Sequence, residues 1–355
     1  MTALDDALAR LDRARTPADL FGPDRADAHR TYRRLARALH PDANGGRTGP
    51  GFARLNAFWR AYNRTGPVTI TTRRHEYLLR GKRATGDLAD VYDATRTDAR
   101  AHSGTHSGTG PPGAGAVLKM PRDPADGDLM EREATALRRL AEDGDPRFRA
   151  YAPRLIESFR HRDADTGATR RVNAIEPLEG FVSLAEVQRA HPGGLDPRDA
   201  AWMWRRLLVA LGFAHRAGVV HGAVLPEHVL VHPEDHGLVL IDWCYSVPGR
   251  LAPPAGHVPA MVDRYAGWYP PEVPGREPAG AETDIFMATR CMAHLMGGRA
   301  PKPMRMFARG CLAAARRHRP ADAWRLLEEF DELLERLYGP RRFRPFTMPA
   351  DRPPE

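Results

Sequence analysis

Over HRTYRRLARALHPD, the apolar residues Tyr32, Leu35, Ala36 and Leu39 recur at i, i+3, i+4 and i+7, which is the spacing of one helix face. Arg30, Arg33, Arg34 and Arg37 repeat that spacing two positions earlier. One helix therefore carries a core stripe and a strip of guanidiniums. Pro41 disfavours the helical conformation at His40 and ends it. Phe52, Leu55, Phe58 or Trp59, and Tyr62 line a following helix, so residues 1–66 predict a helical unit with His40-Pro41-Asp42 in the turn between two antiparallel helices. A first helix falls within 3–14. Residues 67–72 form a linker or a first strand, 73–180 read as strands with one helix, and 196–340 are mainly helical. In that last region lies GVVHGAVLPEHVLVHPEDHGLVLIDW, 218–243, a turn between short strands with an acid at its end.

Two stretches have no core-forming pattern. AHSGTHSGTGPPGAG, 101–115, is rich in Gly, Ser, Thr and Pro and predicts a loop between strands. The tail 341–355, rich in Pro and Arg, predicts an extended segment. No long internal repeat is present.

The chain has 355 residues and 42% hydrophobic content, enough for two or three domains with cores of their own. Asp5 and Asp6 stand where a secretory signal would be basic and then apolar, and the apolar runs are far shorter than a membrane span. Cys244, Cys291 and Cys311 are an odd, scattered set, unlike a disulfide framework or a zinc knuckle. Together these features predict a cytoplasmic protein without a membrane partner. The formal net charge is +8, yet residues 1–66 hold twelve arginines against seven aspartates with no Lys or Glu, so five of those charges sit in under a fifth of the chain. A basic helix can lie on phosphates, but no base-reading motif accompanies it and the seven aspartates dilute the field, which argues against nucleic acid. Only Lys82, Lys119 and Lys302 are lysines among 53 basic residues, so each retained Lys marks a place where a point charge matters.

The N-terminal segments YRRLARALHPD and FARLNAFWRAY, joined by a Gly-rich loop, resemble the second helix, H-P-D loop and third helix of a J-domain. A bare H-P-D is a weak signal; flanked by a basic and an aromatic-rich helix it is a specific one. The resemblance implies docking on a DnaK-class heat-shock ATPase and stimulation of its ATP hydrolysis. His40, Pro41 and Asp42 would carry that role, with Arg33, Arg34 and Arg37 steering onto an acidic surface. The first helix departs from the family's pattern, and no zinc-binding Cys pairs follow.

From 73 to 335 the order of motifs resembles a protein kinase. LLRGKRATGDLADVYDA, 78–94, is similar to the glycine-rich loop, with Val91 on its valine, Gly86 its one matching glycine, and Ala84 and Ala89 at the other two. A Cβ at those two places implies a looser grip on phosphates. AVLKM, 116–120, carries Lys119, whose resemblance partner is a helix glutamate; the apolar spacing to Leu137 and Leu140 favours Glu133 over Glu131. NAIEPLEG, 173–180, resembles the hinge, where the Glu176 to Leu178 backbone would meet adenine. Against H-R-D-L-K-P-x-N the chain reads H-G-A-V-L-P-E-H at 221–228: Ala223 takes the place of the base, Leu225 of the phosphate-side lysine, and His228 of the metal-binding asparagine. VLIDW places Asp242 at the family's metal-binding aspartate, with Trp243 as a core wedge and Cys244 where the family has glycine. Gly222 replaces the arginine that reads an activation-loop phosphate, and between Trp243 and Glu272 there is one serine, Ser246, and no threonine. WYPPEV, TDIFMATRCMAHL with Asp284 as a helix cap, and CLAAARRHRPADAWRLL complete the resemblance, which predicts a buried ion pair between Glu272 and Arg319.

The expected architecture is thus α+β: an all-α J-domain-like hairpin over 1–66, then a bilobal kinase-like fold with a β-rich N-lobe (73–180) and an α-rich C-lobe (181–340). General-base assistance is worth about 10²–10⁴-fold, and with a phosphate contact and a metal ligand also missing, efficient phosphoryl transfer is not expected. Lys119, Glu133 and Asp242 remain a minimum for holding ATP, with Asp242 as the Mg²⁺ ligand. His228, with Glu227, His232, Asp235 and His236 nearby, offers metal-ligand types, against which stands a solvated turn over 232–236 and a hydrogen-bonded core role for His228. The functional expectation is a cochaperone with a kinase-like client-binding or scaffold module; its client is unknown. The alternatives are an active atypical protein kinase delivered by its J-domain, with Glu227 or Asp242 as base, and a scaffold that binds no nucleotide.

Overall fold

The computed structural model describes residues 3–14, 17–21, 25–44, 48–65, 68–98, 113–163, 167–248 and 256–349. Most of the loop expected over 101–115 lies outside these, as do the last six residues of the tail. The chain divides into two compact units, 1–80 with 97–106, and 81–96 with 107–355.

In the first unit, α1 (Ala3–Arg13), α2 (Pro17–Phe21), α3 (Arg25–Leu39) and α4 (Gly49–Thr65) enclose a small core. Ala7, Leu11, Phe21, Ala28, Leu35, Leu39 and Leu55 are buried at its centre, and Tyr32, Phe52, Phe58, Trp59 and Tyr62 pack around them. Both expected apolar stripes therefore face inward. Trp59 stacks on Tyr32 and Tyr62 at 4.4 and 5.8 Å, so the choice left open between Phe58 and Trp59 is resolved by both joining the core. The short α2 was not expected: its five residues hold one apolar pair, too few for a periodicity, and Phe21 earns the turn by packing edge-on to Trp59. Strand β1 (Thr69–Thr71) pairs antiparallel with β2 (His75–Thr85), Ile70 opposite Tyr77, and both of these are buried.

In the second unit, β3 (Ala89–Asp98), β4 (Ala114–Pro121), β6 (Thr169–Ile175) and β5 (Leu155–Arg162) lie side by side, all antiparallel. Residues 114–115, expected as loop, instead pair with Thr95 and Arg96. Between β4 and β5 comes α5 (Gly127–Glu142), whose buried Met130, Glu133, Ala134, Leu137 and Leu140 form one face. The rest is mainly helical: β7 (Val182–Ser183), α6 (Leu184–Ala190), α7 (Pro197–Arg216), β8 (Val219–Val220), β9 (Val229–His232), β10 (Gly237–Leu240), β11 (Val247–Pro248), α8 (Ala281–Met296), α9 (Lys302–Cys311) and α10 (Ala323–Tyr338). Its core is continuous from Leu129 through α7 and α8 to Phe330. Helix α7 is buried on nearly all sides because α8, α10 and the β9–β10 hairpin each cover part of it.

Three details differ from expectation. Asp284 does not cap its own helix; it lies in the first turn of α8 and accepts the backbone N–H groups of His221 and Gly222, each at 2.8 Å. The turn at 232–236 is not wholly solvated, because His236 stacks on Trp202 at 4.0 Å and is buried. Residues 341–349 form no helix or strand, as expected, yet they are packed down: Phe346 is buried and Arg344 reaches Asp196 and Asp199 at 3.3 and 3.1 Å. No helix of the described residues is long and apolar enough to cross a membrane.

Candidate functional site

Three elements bring two acids, Glu133 and Asp242, and the buried lysine, Lys119, together. Lys119 sits on β4, opposite Val91 of β3, so the two side chains share a sheet face. Glu133 comes from the buried face of α5, and Asp242 from the turn after β10. The Lys119 ammonium is 2.9 Å from Glu133 Oε1, 2.6 Å from Asp242 Oδ1 and 3.2 Å from Cys244 Sγ. Glu133 is itself positioned by Asn173 of β6, whose Nδ2 donates to Glu133 Oε2 and to the Met130 carbonyl, both at 2.9 Å. Glu131, one turn face away, pairs with Arg171 instead. Burial by itself would lower the Lys119 pKa; Asp242, with Cys244 and Glu133, outweighs it and holds the pKa well above the usual lysine value. Burial opposes ionisation of Asp242 as well, but Lys119 overrides it and the carboxyl stays below its ordinary range. Lys119 and Asp242 therefore hold each other in their charged forms.

The backbone that delivers Asp242 is unusual. Its φ is 67° and ψ 55°, the left-handed region that Asp tolerates better than most residues. This turn folds Cys244 back toward Lys119 and seats Trp243 in the core, its Nε1 donating to the Leu240 carbonyl at 2.8 Å. Burial pushes the Cys244 thiol well up, so it meets the ammonium as a neutral sulfur.

At 221–228 the frame persists and the polar chemistry does not. Ala223, Val224 and Leu225 are fully buried, so no side chain projects from the position of the base. His221 donates from Nε2 to the Ile241 carbonyl at 2.9 Å and accepts the Ala223 N–H at Nδ1; burial drives its pKa down to about 4. Gly222 has φ +78°, and a Cβ there would lie 2.7 Å from the Tyr245 carbonyl oxygen. The chain is thus built around the glycine, with Asp284 holding its amide. His228 is buried and its Nδ1 donates to the Ala223 carbonyl at 2.8 Å, while Nε2 faces Asp242 Oδ2 at 3.4 Å.

The remaining positions lie around this centre. Gly86 and the half-buried Val91 belong to the β2–β3 turn and β3, where the Gly86 N–H is bonded to the Ala89 carbonyl at 2.8 Å. Glu176 is paired with Arg154 at 2.9 Å and its N–H is bonded to the Arg154 carbonyl, while the Leu178 carbonyl accepts from Arg83 at 3.5 Å. Two residues the sequence did not single out also meet here. Arg264 bridges Asp87 of the β2–β3 turn at 2.8 Å and Glu227 at 3.5 Å, so Glu227 is engaged with a cation. A lone arginine 37 residues from Glu227 carries no periodicity or motif that would have marked it.

Nucleotide and metal fit this site differently. A lysine ammonium fixed by two carboxylates suits a phosphate that takes the place of its third contact, the Cys244 sulfur. Asp242 Oδ2 is a hard oxygen that suits Mg²⁺, but its neighbours are an imidazole nitrogen and a sulfur, and Mg²⁺ prefers an all-oxygen shell. Glu133, Asp242 and Cys244 approach one another closely enough for a shared ion, yet the Lys119 ammonium already bonds to all three.

In the first unit, Arg33, Arg34 and Arg37 are exposed on α3 and His40 and Asp42 stand at its end. Pro41 starts a single 3₁₀ turn to Asn44. Asn44 Nδ2 donates to the carbonyls of Ala38 and His40 at 2.9 and 3.0 Å, capping α3, and Phe52 packs edge-on to the His40 ring at 5.4 Å.

No family model matches the sequence. Among solved structures, the chain is similar to the kinase domain of PknI from Mycobacterium tuberculosis. The match has a TM-score of 0.50 and 16% identity, covering 72% of this chain and 96% of that one. A cysteine-to-alanine variant of the same domain gives 0.51 and 15%, covering 72% and 95%. At that identity the likeness speaks for the fold, which is that of a protein kinase domain.

Proposed function

We propose that this chain couples a nucleotide-holding, catalytically reduced kinase-fold module to an N-terminal helical unit that docks a DnaK-class ATPase. The observation that carries the first part is the contrast within one site: Lys119 is fixed between Glu133 and Asp242, while the position of the base is a fully buried alanine. Binding a phosphate needs the first arrangement, and fast transfer needs more than it. Adenine would rest along the Glu176 to Leu178 backbone, with Val91 above it and Gly86 in the turn over the phosphates. The exposed arginines of α3 and the capped His40-Pro41-Asp42 turn support the docking role, since they present charge and shape without being needed for the core. Such a module acts as a client-binding or scaffolding domain whose state follows its nucleotide.

The test is calorimetry with ATP on the full chain, beside transfer of radiolabelled phosphate, for wild type and Lys119→Met. Binding lost in the variant and no Lys119-dependent transfer is the expected pair of results. Lys119-dependent transfer to any protein would make the module an active kinase, and no binding by the wild type would leave a scaffold.

A further inference from the structure

The described end of the chain lies against the second unit as a peptide ligand would. Over 344–349 the side chains alternate: Arg344, Phe346 and Met348 are buried or half-buried, while Pro345, Thr347 and Pro349 are exposed. The hydropathy of this segment does not alternate, but its burial does, and that is the period of an extended chain. Among the described residues no strand pairs with it. Its attachment is therefore carried by side chains and not by a backbone ladder.

The groove beneath it is formed by the end of α6, the start of α7 and the β9–β10 turn. At its acidic end, Asp196 and Asp199 lie 3.3 and 3.1 Å from the Arg344 guanidinium. Its aromatic wall is Trp202 stacked on His236 at 4.0 Å, and the Phe346 ring lies 6.0 Å from Trp202 and from His191.

Two buried groups stay unpaired while the tail is in place. Asp199 is 7% exposed and Trp202 9%. Asp199 Oδ1 accepts no hydrogen bond although Arg344 Nε is close, and the Trp202 indole N–H has no acceptor. A buried acceptor and a buried donor without partners cost stability. Phe343 is left 69% exposed at the rim, 4.6 Å from His236. The groove thus offers more than the tail uses, and tethering holds the tail there by giving a weak ligand a high effective concentration.

We propose that this groove recognises extended peptide segments of the form Arg-x-aromatic-x-apolar, that the tail occupies it in cis, and that client segments of this chemistry displace the tail. Asp196 and Asp199 select the arginine by charge, and the wall of Trp202, His236 and His191 takes the aromatic side chain two residues on. The inference rests on the client-binding reading of this module and is independent of its nucleotide.

The experiment titrates a fluorescein-labelled peptide of residues 341–349, RRFRPFTMP, against the full chain and reads fluorescence anisotropy. Phe346→Ala undocks the tail, and so does Arg344→Ala, whose side chain is 42% exposed and whose loss spares the core if the first variant melts. Both should bind the peptide at least about tenfold more tightly than wild type, because a tethered competitor has gone. Adding Asp199→Asn should weaken that binding about tenfold, as expected for a hydrogen bond to a charged group. A peptide with Phe346 and Met348 replaced by Ala keeps every charge and should not bind. Equal affinity of wild type and both undocked variants, or equal binding of the two peptides, would overturn the groove. Wild type that sediments as a dimer, with Phe346→Ala a monomer, would give the groove to the tail of a second copy and overturn its role for clients. Reduced, carboxymethylated lysozyme, an unfolded arginine-rich chain, tests the client-binding reading separately. If Phe346→Ala retains it equally with and without Asp199→Asn, that reading stands and the groove is overturned as its place. If the peptide binds and the unfolded chain does not, the groove stands and the client-binding reading fails.

Discussion

Glu272 and Arg319 form a two-bond ion pair, with Nη1 to Oε1 at 2.8 Å and Nη2 to Oε2 at 2.7 Å, and their side chains are 3% and 0% exposed. Burial raises the Glu272 pKa, but the hydrogen bonds and charge of Arg319 outweigh it and hold the carboxyl below its usual value. Thr283 donates to the same carboxylate at 2.9 Å and Arg319 also reaches the Glu282 carbonyl, so the pair ties the segment before α8 to the one before α10. Arg319→Ala should therefore cost about 3–5 kcal/mol, because it strands a buried carboxylate. Urea denaturation measures it, and an unchanged midpoint would contradict the structural role.

Substituting the residues that the kinase resemblance expects at 222 and 223 should not bring about phosphate transfer. Gly222→Arg meets the Tyr245 carbonyl at its first side-chain carbon and forces a non-glycine residue to φ +78°; the backbone strain alone is worth about 1–3 kcal/mol. Ala223→Asp would place a carboxylate where the present side chain is fully buried, and a buried polar group without partners costs about 1–3 kcal/mol or more. Both variants should melt lower than wild type and show no gain in phosphate transfer. A gain on Ala223→Asp would mean that the turn opens more readily than its packing indicates.

His221 gives the fold a pH dependence whose sign can be worked out. Its pKa is about 4 in the folded chain, chiefly through burial, against roughly 6.5 in the unfolded chain. Above pH 6.5 neither state binds the proton and the term is flat. As pH falls from about 6.5 toward 4, only the unfolded state is protonated, so stability declines, by up to about 3 kcal/mol in total. His221→Gln can keep a donor toward Ile241 and an acceptor toward the Ala223 amide without titrating. Denaturation midpoints at pH 7 and pH 4.5 should therefore differ less in the variant than in wild type; equal differences would remove His221 as the cause.

The helical stripes, the buried face of α5 and the Glu272–Arg319 pair were legible in the sequence for one reason: each rests on spacing within a single element or on a motif with fixed neighbours. Glu133 could be preferred over Glu131 because Leu137 and Leu140 fix which face of α5 is inward, and the structure places Glu133 against Lys119 while Glu131 turns to Arg171. What spacing could not reveal are contacts made by the turning of the backbone. Cys244 reaches Lys119 because Asp242 is left-handed, and Asp284 reaches back 63 residues to the amide of His221. Gly222 reads in the sequence as a lost arginine; in three dimensions it is a positive-φ position with no room for a side chain. The tail carries the same lesson, since Phe346 and Arg344 follow no period and their partners on α6–α7 lie some 150 residues away.

Docking and folding should separate cleanly in the first unit. His40 projects from the end of α3 with about half its side chain exposed, and its contact with Phe52 is an edge contact, so His40→Gln should change stability by no more than about half a kcal/mol. Leu39, its neighbour, is fully buried, and Leu39→Ala should cost about 2–5 kcal/mol. If the His40-Pro41-Asp42 turn engages a DnaK-class ATPase, His40→Gln abolishes stimulation of ATP hydrolysis while the melting temperature of the chain holds. Reversing the charge of Arg33, Arg34 and Arg37 to Glu should weaken the same stimulation through association, most strongly at low salt, where steering is least screened. Undiminished stimulation by His40→Gln would leave α3 and α4 as a helical hairpin whose basic face serves another partner.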